Sequence, residues 1–265
     1  MIVCFSGTGN SLAVAKELAA LARDTVWPLG EPLSSPPAIA PGENIVWVMP
    51  CHSWGMHKWV AKALKTLPIA GAEQSDHFLV MTCGDDIGLA HLQWRNAIKR
   101  RGWKPVGTYS VAMPNTYILL PGFDVDAPEV ANHKLQEMPS RVARIWHGIK
   151  CRARVDDVVR GAVPWIKTRL VYPLFMRFLT SPKPFHFTDA CIGCGLCARV
   201  CPLKNISMQH NHPHWGKDCT LCLGCYHACP THAVAYGHAT DHKAQKQTVN
   251  ISRQELKSAK STYLF

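Results

Sequence analysis

The sequence predicts an α/β fold: a doubly wound, five-stranded parallel sheet in residues 1–150, followed by a small α+β domain rich in cysteine. Three observations favour this architecture. Short β-branched runs alternate with longer amphipathic runs over the first 150 residues, and a length of 265 residues exceeds that of one ordinary domain. Eight of the 12 cysteines lie within the 39 residues from Cys191 to Cys229.

The elements of the first domain alternate along the chain. Five short apolar runs are the predicted strands: Ile2–Ser6, Val26–Leu29, Ile45–Pro50, Phe78–Cys83 and Thr108–Met113. Four segments with apolar residues three and four positions apart are the predicted helices: Ser11–Arg23, Lys58–Leu67, Leu89–Arg101 and Glu129–Lys150. We expect these helices to cover both faces of the sheet.

A basic connector, residues 151–185, follows the first domain. The region from Arg141 to Lys183 holds ten Arg or Lys against two Asp, and it includes the stretch WIKTRLVYPLFMRFL. We expect the apolar residues of 165–179 to pack between the domains, and peripheral contact with a membrane surface is the alternative. Residues 241–265 are polar and are expected to form a surface tail.

The cysteine-rich domain, residues 186–240, contains one motif twice: CIGCGLCARVCP at 191–202 recurs 28 residues later as CTLCLGCYHACP. Three cysteines at intervals of three residues let three thiolates meet at one iron–sulfur cube, whereas the fourth cysteine belongs to the other cube. The predicted ligands are Cys191, Cys194, Cys197 and Cys229 for cluster 1, and Cys219, Cys222, Cys225 and Cys201 for cluster 2, both of the 4Fe-4S type.

Zinc sites and disulfides are the alternatives for these cysteines. Zinc usually takes two CxxC pairs that are well separated in sequence, and disulfides require an oxidising compartment. The sequence has no basic leader followed by an apolar stretch and no run of 18 apolar residues, so we expect a cytoplasmic protein with reduced thiols. The repeated motif resembles that of bacterial two-cluster ferredoxins, which implies one-electron transfer without a substrate site in this domain.

A glycine-rich loop, SGTGNS, joins the first strand to the first helix. It lacks the lysine of a P-loop and the third glycine of the dinucleotide motif GxGxxG. The ligand type that remains is a monophosphate, held by backbone amides at the helix N-terminus with hydroxyl and amide side chains as further donors. A plain turn is the alternative. The predicted binding residues are Ser6, Gly7, Thr8, Gly9, Asn10 and Ser11.

This loop resembles the phosphate loop of flavodoxins, which implies a flavodoxin-like domain and FMN as the ligand. The resemblance extends to PCHSWG after the third strand and TCGDD after the fourth. It implies that His52 and Trp54 lie against the isoalloxazine ring and that the second loop lines the edge of the ring. The further predicted FMN contacts are Pro50, Cys51, His52, Ser53, Trp54, Gly55, Thr82, Cys83, Gly84 and Asp85. Residues 112–118 are expected to form an ordinary loop, and a cap over the flavin is the alternative.

Together the two resemblances imply a flavodoxin/ferredoxin fusion protein. Its expected function is to pass single electrons between a redox partner and FMN through two 4Fe-4S clusters, without a catalytic residue. A flavin-dependent reductase of a small substrate is the alternative, and His52 and His57 are then the nearest candidate proton donors. The net charge of +11 favours an acidic redox protein as partner, and no nucleic-acid recognition motif is present.

Overall fold

The computed structural model describes residues 1–30, 33 and 36–246. The first domain contains a six-stranded sheet in which all neighbouring strands are parallel. The strands are β1 (Ile2–Cys4), β2 (Val26–Pro28), β3 (Asn44–Pro50), β4 (Asp76–Cys83), β5 (Lys104–Ala112) and β6 (Asp156–Asp157). Their order is β2-β1-β3-β4-β5-β6. The first five strands follow one of the common orders of doubly wound sheets.

Four helices cover both faces of this sheet, as expected. They are α1 (Asn10–Ala22), α2 (Lys58–Thr66), α3 (Ala90–Arg100) and α4 (Pro128–Lys150), and a short 3₁₀ helix, Ala72–Gln74, precedes β4. Residues of α2 and α3 pack with Trp47 in one core, whereas residues of α1 and α4 pack with Val48 in the other. Neighbouring residues of β3 thus point to opposite faces, because side chains alternate along a strand.

The sheet has six strands rather than the predicted five, because the start of the predicted connector joins its edge. Asp156 pairs with Thr108 of β5, and its carboxylate accepts hydrogen bonds from Thr108 Oγ1 at 2.6 Å and Arg95 Nε at 3.2 Å. Asp157 forms an ion pair with Arg141 at 2.6 Å. Two aspartates held by polar contacts carry no apolar alternation, so the sequence pattern did not indicate a strand.

The remainder of the connector forms one helical run, residues 164–178, which we call the connector helix. It consists of α5 (Pro164–Ile166), a π-helical turn (Lys167–Val171) and α6 (Tyr172–Phe178). A proline ring clashes with the carbonyl four residues earlier in a regular α-helix, and the wider π turn before Pro173 relieves that clash. Within the described part of the chain, no helix is long and apolar enough to cross a membrane.

One face of the connector helix packs on the first domain, but most apolar side chains of 165–179 are exposed rather than packed between the domains as expected. Thr168 Oγ1 donates to Trp54 O at 2.9 Å and accepts from Leu89 N at 2.8 Å. Lys167 forms an ion pair with Asp86 at 2.6 Å. Further along the helix, Tyr172 and Met176 make hydrogen bonds to the segment that begins α2. The helix is therefore fixed beside the loops that follow β3 and β4.

The C-terminal domain contains two antiparallel strand pairs and two short helices. The elements are β7 (Phe185–Phe187), α7 (Leu196–Val200), β8 (Ile206–Gln209), β9 (His212–Trp215), α8 (Gly224–Ala228) and β10 (Val234–Tyr236), with β7 paired to β10 and β8 to β9. Helices α7 and α8 occupy equivalent places in the two cysteine motifs. Of the predicted polar tail, residues 247–265 lie outside the described residues.

The two domains contribute residues to each other's cores. Ile118 and Leu119, from the loop after β5, are buried in the core of the C-terminal domain. In the opposite direction, Leu203, two residues after Cys201, is buried in a core of the first domain. A Cβ on Gly30 would lie 2.6 Å from Pro202 O, so only glycine permits this approach. The domains are therefore interlocked.

Candidate cofactor sites

The four predicted ligands of cluster 1 line one small pocket in the C-terminal domain. Burial, together with the nearby Cys194, Cys229 and Cys191, raises the pKa of Cys197 to about 11. The N–H of Ala233 donates to Cys229 Sγ at 3.2 Å. Apolar side chains complete the wall of the pocket, and all four thiols face it: Cys191, Cys194, Cys197 and Cys229. The motif and the fold thus bring together the predicted set, including the cysteine that crosses from the second repeat.

The predicted ligands of cluster 2 also lie together. Burial, together with the neighbouring Cys222 and Cys201, raises the pKa of Cys219 to about 12. Burial and the same neighbours raise the pKa of Cys225. Backbone N–H groups of Leu221 and Asn205 donate to Cys219 Sγ at 3.3 Å and Cys201 Sγ at 3.4 Å. Such N–H···S bonds stabilise the negative charge of a sulfur-ligated cluster, so the donor set fits a 4Fe-4S group.

The three predicted flavin loops meet at one cavity of about 680 Å³ at the carboxyl ends of β1, β3 and β4. Ligands of doubly wound sheets bind in this position. All predicted contacts line the cavity except Gly9 and Gly55. Gly9 instead caps α1 with a positive φ of 92°, and a Cβ on Gly55 would lie 2.3 Å from the Tyr172 ring. Gly9 is therefore needed for the backbone turn before α1, and Gly55 for the close approach of the connector helix.

The polar end of the cavity is formed by the loop before α1. Ser6 Oγ accepts hydrogen bonds from the N–H groups of Gly9 at 3.2 Å and Leu12 at 3.3 Å, which fixes the turn. Ser11 Oγ lies 2.7 Å from Thr82 Oγ1 and joins this loop to the end of β4. Gly9, the N-cap, has no side chain to occupy the first amides of the 13-residue helix. The helix dipole and these amides favour an anion here.

A lysine that the sequence analysis did not consider reaches this loop. Lys246 Nζ donates to Asn10 Oδ1 at 2.5 Å and to Thr8 O at 3.2 Å. Burial lowers the pKa of Lys246 to about 8, so the group is mostly protonated at neutral pH. Lys246 is 236 residues from Asn10, and no motif within the loop could have indicated it. A buried cation distant in sequence therefore lies against the predicted phosphate loop, although Lys246 is not among the residues that line the cavity.

His52 and Trp54 both line the cavity, in a tight turn after β3. Trp54 has a positive φ of 62°, and His52 pairs with Gly55 across the turn. The ring of His57, the N-cap of α2, lies 5.2 Å from that of His52. Burial lowers the pKa of His52 to about 4 and that of His57 to about 3, so both are neutral at pH 7.

The thiols of the two flavin loops are protonated at neutral pH. Burial raises the pKa of Cys51 to about 12, and burial also raises that of Cys83. Their Sγ atoms lie 4.0 Å from Ile87 O and 3.9 Å from Val111 O, respectively. A protonated thiol is a weak nucleophile, so these two cysteines form part of the wall.

The ligand loop of cluster 2 forms another wall of the same cavity, through residues 220–223. A Cβ on Gly7 would lie 2.3 Å from Cys222 Cβ and 2.7 Å from Cys222 Sγ. A Cβ on Gly224 would lie 2.4 Å from Gly7 O. Both glycines therefore permit the contact between the predicted phosphate loop and a predicted cluster ligand, which the sequence analysis did not anticipate.

The loop after β5 also lines the cavity, through residues 114–117, although the sequence analysis expected an ordinary loop. Asn10 Nδ2 donates to Pro114 O at 2.8 Å. His227 of α8 donates from Nε2 to Thr116 O at 2.8 Å and accepts from Lys246 N at its Nδ1 at 3.0 Å. The buried His227 thus joins the C-terminal domain to both the loop and Lys246.

Comparison with known proteins identifies the C-terminal domain. Residues 175–234 match the family described as "4Fe-4S dicluster domain". A similar protein, "Ferredoxin-like protein in nif region" from Nostoc sp., is 36% identical over 56 residues. The alignment covers 18% of this chain and 48% of that protein, so the chain spans about half of the length of this relative. The chain therefore contains a ferredoxin-like 4Fe-4S dicluster domain, which is typical of iron–sulfur electron transfer.

Proposed function

We propose that the protein passes single electrons between a redox partner and FMN through its two 4Fe-4S clusters. One observation carries this proposal: Cys222, a cluster 2 ligand, lines the cavity and contacts Gly7 of the phosphate loop. A cofactor held by this loop would lie directly beside cluster 2. FMN exchanges electrons in pairs or singly, whereas each cluster exchanges one electron at a time.

The residues around the cavity support FMN as the cofactor. The strand order 2-1-3-4-5 is that of flavodoxin-like sheets, which hold FMN where the order reverses. Amides at the start of α1 and the hydroxyls of Ser6 and Thr8 suit a phosphate dianion, and the ammonium group of Lys246 adds positive charge against the same loop. The loop has neither the lysine of a triphosphate site nor the glycines of a dinucleotide site. His52 and Trp54 would hold the ring, and the connector helix would exclude water from it.

The exposure of the ligands suggests the order of the electron path. Cys194 of cluster 1 is exposed, and the neighbouring Ile192 is 67% exposed. The predicted ligands of cluster 2 reach the cavity instead, through Cys222. A redox partner would therefore meet cluster 1 first. Arg199, which donates to Cys194 O at 2.9 Å, gives that surface a positive charge and favours an acidic partner.

The chemistry of the two histidines favours an electron carrier over the reductase alternative. A reductase needs a proton donor in the cavity, and His52 and His57 are the nearest candidates. Because both are neutral at pH 7, neither offers an imidazolium proton, which disfavours these two histidines as the donors.

Flavin titration tests the proposal. Protein prepared without oxygen, carrying about eight iron atoms per chain and freed of flavin, is titrated with FMN and with riboflavin. We expect one FMN per chain, bound about tenfold or more tightly than riboflavin because only FMN has the phosphate. Equal affinity for the two flavins, or no binding of either by the iron-loaded protein, would contradict the proposal.

A further inference from the structure

The outward side of the connector helix is unusually apolar. Of the 14 exposed large hydrophobic side chains among the described residues, eight lie between Val163 and Leu179. Along the helix, Ile166, Leu170, Leu174 and Phe178 recur every four residues, and all are exposed by 45–65%. The helix thus buries one face, through Thr168, Phe175 and Met176, and presents a continuous apolar stripe on the other. Soluble domains rarely expose such a stripe without a binding role.

Positive charge accompanies this stripe. Trp165 and Arg169, four residues apart, and Arg177, eight residues further on, form a second row next to it. Residues 158–188 contain five Lys or Arg and no Asp or Glu. Within the described residues, Arg169 and Arg177 have no carboxylate within ion-pair distance, whereas Lys167 is paired with Asp86. The Arg177 guanidinium lies 5.4 Å from the centre of the Phe178 ring, so charge and apolar surface adjoin.

We propose that this face of the connector helix binds the surface of an anionic membrane, with the helix lying parallel to the bilayer. An apolar stripe with tryptophan, bordered by arginines, is the pattern of interfacial helices, whose apolar side enters the headgroup boundary while basic groups meet anionic lipids. An acidic protein partner suits this face less well, because charged contacts would leave the row from Ile166 to Phe178 in water. The exposed surface near cluster 1 remains available to that partner.

Membrane binding at this face would also determine whether the mouth of the cavity faces lipid or water. Leu174, Phe178 and Leu179 are exposed on the outer side and at the same time line the cavity. The mouth of the cavity would therefore face the lipid rather than open water. The binding itself depends only on the connector helix, so it does not rest on the identity of the cofactor.

Vesicle binding tests this inference on the full-length, cluster-loaded protein. The protein is sedimented with vesicles of phosphatidylcholine alone and with vesicles of equal parts phosphatidylcholine and phosphatidylglycerol. We expect binding to the anionic vesicles to be about tenfold stronger or more, and to weaken as salt is added. Absence of binding to anionic vesicles, or equal binding to both kinds, would overturn the inference.

Two matched double variants locate the binding face. Trp165→Ser with Leu170→Ser removes apolar groups that do not line the cavity, and we expect it to weaken vesicle binding by about tenfold or more. Leu21→Ser with Val130→Ser changes exposed apolar residues elsewhere on the first domain and should leave binding unchanged. Iron content and cluster absorbance verify that both proteins are folded. Vesicle binding by Trp165→Ser with Leu170→Ser at the wild-type level would refute the inference. The inference would also be refuted if this variant lost binding to an acidic redox protein and kept its binding to vesicles.

Discussion

Gly7 and Lys246 are the residues on which the proposed flavin site depends most. Gly7 lets the predicted phosphate loop contact Cys222, and Lys246 adds a buried cation to the same loop. The sequence motif SGTGNS indicated an anion site and its hydroxyl donors. It could not indicate Cys222 or Lys246, because both come from a different domain and are brought to the loop only by the packing of the whole chain.

Lys246→Met should weaken FMN binding by about tenfold or more, because it removes a buried positive charge that lies against the phosphate loop while keeping about the same side-chain length. The matched control is Lys243→Met, since Lys243 contacts Phe123 O and Asp124 instead of the phosphate loop. Fluorescence titration of the iron-loaded proteins with FMN measures both affinities. An unchanged affinity in Lys246→Met would show that the backbone amides alone hold the anion.

The affinity for FMN should also depend on pH above neutrality. Burial lowers the pKa of Lys246 to about 8 in the flavin-free protein, and a bound phosphate would favour the protonated form. Affinity then falls by about twofold between pH 7 and 8 and by about fivefold between pH 8 and 9, where the lysine must regain its proton on binding. The same titration on Lys246→Met should give a flat profile, and a flat wild-type profile would contradict this role.

At the scale of elements, the sequence predicted each regular helix and strand of the first domain but not the edge strand or the course of the connector. Apolar periodicity indicated β3 and α3 because their burial is set by one sheet and its covering layer. In contrast, β6 is held by carboxylate contacts of Asp156. The π turn before Pro173 relieves a clash between the proline ring and a backbone carbonyl. Neither feature produces a periodic pattern of apolar residues in the sequence.

The crossing of the fourth cysteine between repeats leads to a prediction about iron content. Cys194→Ala with Cys229→Ala removes two ligands of cluster 1, so about four iron atoms per chain should remain. Cys194→Ala with Cys201→Ala removes one ligand from each cluster, so fewer than about four should remain. Iron and sulfide analysis after anaerobic reconstitution distinguishes them, with the exposed Cys151→Ala as control. The reverse ranking of the two double variants would contradict the ligand assignment.

At the scale of the whole molecule, the two domains share buried side chains, although the sequence suggested two separate domains and a linker. Ile118 and Leu119 complete the core of the C-terminal domain, and Leu203 enters the first domain. The C-terminal domain, residues 186–240, is too small to bury a large core of its own. The structure adds side chains from the first domain to that core, which no local pattern around the cysteines could reveal.

This interlocking predicts a single unfolding transition. Ile118→Ala should lower the free energy of unfolding by about 2–5 kcal/mol, because Ile118 is fully buried between the domains. Far-UV circular dichroism should follow the loss of cluster absorbance at the same midpoint, and both should shift together in the variant. Ile166→Ala, at an exposed position, is the control and should change neither signal. Separate midpoints for the two signals would mean that the domains unfold independently.

The central claim is that FMN and both clusters form one electron-transfer unit, and a reductive titration without oxygen tests it most directly. The FMN-loaded protein should accept about four electrons per chain, two at the flavin and one at each cluster, and the flavin-free protein about two. Electrons supplied at the clusters should also appear at the flavin. An uptake of about two electrons in the presence of FMN, with the flavin remaining oxidised in solution, would contradict the account.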